Sequence, residues 1–367
     1  FQDAALGVER GDFAARGRLE RHMAEVRAEG ELPRQERATT TSSFAGLVVP
    51  QYLVDEAALV LRNGRVVANT VRRLPLPDQG MTFQVPRGTT GASEALQATE
   101  NSAVSSTDEV WTNLTISVAT IAGQQDVSRQ SLERGTPGID SLIYLDLAGA
   151  YMAQLDTQVI NGSGAITGIL NQAGINAATA FGAAPSAANF SLKVAGQISA
   201  IAGAGTLVQP QIIAMHPRRW GWLNGLVDTA NRPLALANML GPYNALALVT
   251  NPGGYSGDGA STSTDSVPVG TMANGLPVYT DANIPTNIGT NVEDVVLIYD
   301  PSKLLLWEEG DGMPRQLRFD QTLGNQLTVK LVAYGYAAFT AGRYPTAVGK
   351  VGGLDSVATQ GLVAPTF

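Results

Sequence analysis

Two stretches of the chain alternate apolar and polar residues with a period of two. In MTFQVP, Met81, Phe83 and Val85 alternate with polar partners, and in VWTNLTISVATI the alternation runs from Val110 through Thr112, Leu114, Ile116 and Val118. That period predicts two strands, each with one buried face. Residues 87–109 between them are rich in Gly, Ser, Thr and Ala with scattered carboxylates, too long a stretch for a tight hairpin turn. Loops of this length are functional or disordered as a rule. Two readings stand: a two-stranded arm reaching away from the body, or a surface loop. An arm needs something to pack on, because an isolated hairpin is marginal in water.

A period near four marks the clearest helix, over residues 137–160. Ile139, Ile143, Leu147, Tyr151, Leu155 and Val159 form an i, i+4 ladder, and Leu142 and Leu145 broaden its face. Thr136 suits the cap, Pro137 the first helical position and Gly162 the stop. At 1.5 Å per residue the rod is about 36 Å long and needs a sheet or helix beneath it. A second helical pattern lies near the start, where Leu19, Met23 and Val26 fall at i, i+4 and i+7 in a stretch of Arg and Glu. So thin a stripe fits a solvated surface helix, or an arm whose apolar partner belongs to another chain. ATTTSSFAG then reads as a linker. Residues 47–76 give an extended piece, a proline, a helix and an Asn63-Gly64 turn.

The glycines after the long helix, Gly162, Gly164 and Gly168, invite a phosphate-loop reading, but such a loop follows a strand and opens a helix. This one follows a helix, at the partly negative end of the dipole, so turn residues are expected. The two histidines, His22 and His216, are far apart in sequence, and IIAMHPRRW reads as a buried strand entering a turn, with His216 a turn or core residue. GYSGDG lacks the final glycine of a nucleophile elbow and lies in a polar loop at 251–265. WEEGDGMP, with Glu308, Glu309 and Asp311, has the look of a hairpin turn and matches no EF-hand spacing. No nucleophile, base and orienting group come together, so the residues give no positive evidence for catalysis, a metal site or a cofactor.

Composition narrows the classes further. The chain has 367 residues, 44% hydrophobic and 15% charged, enough for a substantial core in about two domains. A formal net charge of −8 argues against sequence-independent nucleic-acid binding, which needs clustered Lys and Arg. With no cysteine, disulfides and thiolate metal sites are excluded. No apolar run reaches the ~18 residues of a membrane span and no signal-peptide pattern opens the chain, so a soluble protein is expected. A first residue of Phe rather than Met leads to the expectation that an upstream segment was cleaved or is missing from this numbering.

Four motifs in one order carry a resemblance. DVSRQSLERGTPGIDSLIYLDLAGAYMAQLDTQVINGSGAITGIL, then MHPRRWGWL, then NGLPVYTDANIP, then GYAAFTAGRYPTAVGKVGG resemble the major capsid proteins of tailed bacteriophages, whose fold was first named for phage Hong Kong 97. The match runs over about residues 48–353. The resemblance implies an α+β, Hong Kong 97-type capsid fold, in which a peripheral domain carries a long spine helix, beside an axial domain, an extended β-hairpin arm and an N-terminal arm. It implies residues 1–46 as N-terminal arm, with a scaffold remnant, and 47–80 as the first part of the peripheral domain. The hairpin arm follows at 81–120, the spine-helix part at 121–172, and the axial domain at 173–294. Residues 295–340 return to the peripheral domain, and 341–367 form a closing strand and tail.

The implied function is structural: pentamers and hexamers of the chain closing an icosahedral shell around double-stranded DNA, with no catalytic role. The implied partners are further copies of itself, then portal, scaffold or maturation protease, and cement or decoration proteins. DNA is enclosed without specific binding, and no membrane is involved. The implied location is the virion capsid, assembled in the host bacterial cytoplasm. The founding member of the family welds its shell by a lysine in the arm, bonded to an asparagine near a glutamate. Here the only lysines are Lys193, Lys303, Lys330 and Lys350, none in the arm, and KLVAYGYAAF holds no carboxylate. A shell without covalent cross-links is therefore expected, with Arg87, Glu94, Glu100, Asp108 and Glu109 as candidates for inter-subunit ion pairs. Two alternatives stay open: an encapsulin-like bacterial nanocompartment shell, and a soluble hydrolase built on the EEGDG loop.

Overall fold

The structure, a computed structural model, describes residues 13–29, 60–135, 138–178, 181, 185–205, 207–226, 268–272, 275–289, 292–310, 312–323, 327–353 and 361–365. The chain divides into two units, Phe1–Asp55 and Glu56–Phe367. In the first, α1 (Phe13–Glu29) is the charged helix expected from the sequence. Its apolar stripe is largely uncovered: Leu19 is half-buried, and Met23 and Val26 are exposed. The extended piece and helix expected before residue 60, the caps Thr136 and Pro137, and the GYSGDG loop lie outside the described residues.

The second unit is organised by two sheets. The six-stranded sheet has the order β5-β13-β9-β6-β8-β7. Its strands are β5 (Asn176–Ala177), β6 (Ile212–Met215), β7 (Gly270–Met272), β8 (Leu276–Thr280), β9 (Val295–Tyr299) and β13 (Val348–Gly352). β6 and β9 are buried at every residue. A continuous apolar run in a strand signals burial on both faces, and both faces here are covered. Ile212, Ala214, Val295, Leu297 and Tyr299 enter a central core together with Leu155 and Val159 of the long helix. Ile213, Met215, Val296 and Ile298 face the other way, onto Phe190, Val194, Ile198 and Ile201. Those four belong to α5 (Ala187–Gly203), which Ser186 caps by accepting from the Asn189 N–H.

The five-stranded sheet contains β1 (Arg72–Pro75), β4 (Ala119–Ser128), β10 (Leu305–Glu308), β11 (Arg315–Leu323) and β12 (Thr328–Thr340). Two short helices precede and follow parts of it, α2 (Val66–Thr70) and α3 (Arg129–Arg134). The registers show how β12 is flanked. Ala337 pairs with both Glu308 and Ala119, and Thr328 with both Leu323 and Ser128, so β4 lines one side while β10 and β11 follow each other along the other. WEEGDGMP is thus not a hairpin turn. It joins two stretches that run in one direction along the same neighbour.

The long helix, α4 (Ile139–Asn161), spans 23 residues. Tyr151, Leu155 and Val159 of the ladder are buried, whereas Leu145 is exposed, so the apolar face is narrower than the sequence suggests. Gly335 of β12 makes room for the Tyr151 ring: a Cβ there would stand 2.5 Å from the Tyr151 hydroxyl. The glycines after α4 are turn residues, as expected, but their role is space. Gly162 is extended rather than left-handed. Gly168 donates to its carbonyl at 2.8 Å. A Cβ on Gly162 would meet the Ile166 carbonyl at 2.6 Å, and one on Gly168 the Gly162 nitrogen at 2.4 Å.

Two further expectations are corrected. VWTNLTISVATI is two strands, because the chain changes partners at Val118: β3 (Val110–Ser117) pairs with β2 (Thr82–Thr90), and β4 with β12. GYAAFTAGRYPTAVGKVGG is divided between β12 and β13, which lie in different sheets. β9, which opens the segment expected to return to the peripheral domain at 295–340, is hydrogen-bonded to both β6 and β13.

Candidate assembly surface

The β2–β3 hairpin grows out of the five-stranded sheet, and its apolar alternation lasts only as long as there is body to pack on. Phe83, Val85, Leu114, Ile116 and Val118 sit with Leu74, Leu76, Leu305, Trp307, Tyr336 and Ala338 in a small core. The Phe83 and Trp307 rings meet edge to face, 4.9 Å between centroids and 71° apart, a geometry aromatic pairs favour. Past Val85 and Leu114 the side chains are bare. Trp111 is 65% exposed, Val104 75% and Leu96 95%.

The outer segment, residues 91–109, is held by polar side chains rather than a strand ladder. Ser93 Oγ lies 2.7 Å from Ser105 Oγ and 2.6 Å from Thr107 Oγ1, and Gln97 donates to the Ser102 carbonyl at 2.7 Å. The tip turns at residues 99–102, where the Ser102 N–H donates to the Thr99 carbonyl and Asn101 takes a left-handed φ of 66°. Asn tolerates that region better than most residues. A narrow extension bridged across its width is the result.

The five sequence-predicted contact residues all lie on this extension. Glu94, Glu100, Asp108 and Glu109 are exposed and Arg87 is half-buried near the root. The structure does not bring them together, and among the described residues none of them is in an ion pair within the chain. Glu109 accepts a hydrogen bond from Trp111 Nε1 at 3.3 Å. Sequence reasoning passed over Trp111, although a large ring on the polar side of an alternating strand was the available signal.

The carboxylates that suggested hydrolysis are engaged elsewhere. Glu308 is buried against Arg65, Glu309 pairs with Arg315, and Asp311 lies outside the described residues. His216 caps α6 (Pro217–Gly225), its Nδ1 accepting from the Arg218 N–H at 3.1 Å. Burial, and then the Arg218 charge, hold its pKa below the ordinary value. A groove of about 650 Å³ runs between α4 and β4, and its one charged lining residue, Arg62, is committed to Asp146 at 2.6 and 2.8 Å. Among the described residues no three His, Cys, Asp or Glu side chains group as metal ligands, and no helix is long and apolar enough to cross a membrane.

Two buried polar joints hold the body together, and neither was legible beforehand. Asp294 is wholly buried and takes Arg219 Nε on one oxygen at 2.9 Å and Arg218 Nε on the other at 2.8 Å. Its N–H reaches the Leu362 carbonyl at 2.8 Å, tying residues 361–363 to the six-stranded sheet. In the second joint, Asp156 of α4 accepts from the Ala68 N–H at 2.6 Å and Asn283 Nδ2 at 2.9 Å, while Asp281 accepts from the Val67 N–H at 3.1 Å. Burial, reinforced by its hydrogen bond to Asp281, raises the Asp156 pKa well above the ordinary carboxyl range. An acid between Met152 and Ile160 on the apolar face of α4 was the only hint in the sequence.

The family model described as the phage capsid family matches residues 45–328 of the chain. No curated protein matches it in sequence. Among solved structures, one of Gordonia phage Cozz superposes with a TM-score of 0.60 at 15% identity, covering 91% of this chain and 98% of that one. The capsid of a native GTA particle gives 0.63 at 15% identity, covering 89% and 100%. A chain of Mycobacterium phage Bobi gives 0.57 at 17% identity, covering 85% and 97%. At such identities these likenesses speak for the fold.

Proposed function

We propose, from the premise that the chain belongs to the phage capsid family and is a structural major capsid protein of the virion with the α+β, Hong Kong 97-type fold, that pentamers and hexamers of it close an icosahedral shell around the double-stranded DNA of a tailed bacteriophage. The observation that carries this reading is the arm. Its apolar side chains Leu96, Val104 and Trp111 stay largely exposed among the described residues, and aromatic residues in that position are typical interface anchors. The five-stranded sheet with α4 supports assignment as the peripheral domain, and the six-stranded sheet with α5 and α6, including β9 and β13, as the axial domain. In this reading α1 is part of an N-terminal arm whose Met23 and Val26 are covered by another copy.

The shell holds without covalent cross-links in this reading. No lysine lies on the arm, and Lys330, on β12, faces Asp126 at 3.8 Å. Assembly takes place in the host cytoplasm, and portal, scaffold or maturation protease and decoration proteins are the further partners. Electron microscopy of the purified protein tests the proposal, with nucleic acid measured in the particles. Closed icosahedral shells with DNA are expected; shells holding only protein cargo point to a nanocompartment, and small oligomers under every assembly condition overturn the reading. Boiled particles on a denaturing gel should run as a single band of chain mass, and a ladder of multimers would refute the absence of cross-links.

A further inference from the structure

The chain contains four Asn-Gly pairs, at 63–64, 161–162, 224–225 and 274–275. In such a pair the backbone nitrogen of the glycine can attack the side-chain carbonyl of the asparagine, because no Cβ on the glycine blocks the approach. A fold suppresses the reaction by engaging that N–H in a hydrogen bond or by fixing the backbone in a helix. Two of the pairs are suppressed in this way. Asn161 ends α4, the Gly162 N–H donates to the Gln158 carbonyl at 2.9 Å, and the Asn161 side-chain oxygen accepts from Asn171 at 3.2 Å. Asn224 and Gly225 lie in the last turn of α6, where N–H groups bond backward along the helix. Asn274 lies outside the described residues.

Asn63-Gly64 differs from both. The pair does not form the turn that its sequence suggests; both residues lie in the loop before α2. Asn63 is exposed, and among the described residues neither its side chain nor the Gly64 N–H makes a hydrogen bond. Nucleophile and target are thus adjacent, unengaged and open to water. The residues on either side are tied down. Arg62 holds Asp146 of α4 at 2.6 and 2.8 Å. The Gly64 carbonyl accepts from Asn283 Nδ2 at 2.7 Å, and the same amide donates to Asp156 at 2.9 Å, in the buried joint that also takes the Val67 and Ala68 N–H groups. These bonds use the Gly64 carbonyl and leave its nitrogen free.

We propose that Asn63 is a self-modifying site: the Gly64 nitrogen bonds to Asn63 Cγ, the Cγ–Nδ2 bond breaks with loss of ammonia, and water opens the resulting cyclic imide to aspartate or isoaspartate. The amide proton of Gly64 leaves with the ammonia, so the chemistry needs only the folded chain and water. Both products place a negative charge between Arg62 and Gly64. Isoaspartate also routes the main chain through Cβ and Cγ, which inserts an extra carbon between the Arg62–Asp146 and Gly64–Asn283 anchors. One anchor must then give, and the junction of α2 with α4 loosens as the chain ages.

The test incubates the purified full chain in water labelled with heavy oxygen, at neutral and mildly alkaline pH. Digestion and mass spectrometry follow, with chromatography that separates aspartyl from isoaspartyl peptides. Asn63 should give way to a labelled mixture of the two acids about tenfold or more faster than Asn161 and Asn224. The rate should rise with pH, because the attacking nitrogen acts in its deprotonated form. In urea the three sites should convert at similar rates, which assigns the difference to the fold. Gly64→Ala, whose Cβ crowds the nitrogen, should slow Asn63 about tenfold with the other two sites unchanged; circular dichroism confirms that this variant is folded, and the urea comparison serves where it is not. An aged chain rich in isoaspartate should melt below Asn63→Gln stored the same way. An Asn63 that stays intact in the folded chain, or converts no faster than Asn161, overturns the site, and an aged chain that melts with Asn63→Gln overturns its effect on the junction.

Discussion

The six-stranded sheet and the hairpin arm end in opposite states. β6 and β9 are buried throughout, one face on the central core and the other on α5. The arm has a strand ladder of its own, from Thr82 opposite Ser117 to Gly88 opposite Trp111, yet only its root is covered. What separates them is the supply of surface within one chain. Apolar burial stabilises by about 25 cal/mol per Å² removed from water, and the outer arm, with Leu96, Val104 and Trp111 exposed, removes little of it. The body buries its apolar strands, whereas the outer arm leaves its own exposed.

The largest test of that contrast strikes the body. Asp294→Ala leaves Arg219 buried without its carboxylate and should cost about 3–5 kcal/mol in urea unfolding; Leu155→Ala, in the central core, should cost about 2–5 kcal/mol. A loss below about 1 kcal/mol in both would mean that the body is not the closed unit described. Phe83→Ala acts at the junction. It removes a half-buried ring from Trp307 and should cost about 1–3 kcal/mol, a discount on full burial. Limited proteolysis within residues 91–109 should speed up, and an unchanged rate would detach the arm from the packing of its root.

A smaller, graded effect comes from the Asp156–Asp281 joint. A carboxyl whose folded pKa is raised binds more protons folded than unfolded, so its contribution is complete below the unfolded value, about 3.9, and is lost as pH rises through the folded value. The thermal midpoint of the wild type should therefore carry a downward component with rising pH that Asp156→Asn, neutral throughout, lacks. Parallel pH profiles for the two proteins would mean that Asp156 makes no such contribution. The smallest effect on the chain itself belongs to Trp111→Ala, which should change unfolding by no more than about 0.5 kcal/mol. The same substitution should reduce particle yield, and an equal yield would leave the exposed ring without a role.

Much of the fold was legible because it is local. The ladder from Ile139 to Val159 and the alternation at 81–85 and 110–118 place α4 and the hairpin within a few residues of where they stand. The buried strand read in IIAMHPRRW is β6, although His216 caps α6 where a turn or core residue was expected. What failed was non-local. The change of partner at Val118 was missed, although Ile121 falls out of phase with the alternation that ends there, and Ile116 and Ile121 enter different cores. The EEGDG stretch looked like a turn, and only the pairing of β12 with both flanking strands shows that it is not. The arm carboxylates could be picked by their position in a polar extension.

The sequence by itself determined the element types, the long helix, the hairpin and the family resemblance, since each depends on periodicity or short motifs that the backbone imposes on neighbours in the chain. Tertiary structure alone decided which strands share a sheet, which acids are buried in pairs and which charges are left over. Those outcomes depend on residues such as Asp156 and Asp281, or Ala337 and both of its partners, that are distant along the chain and meet only after the core has closed.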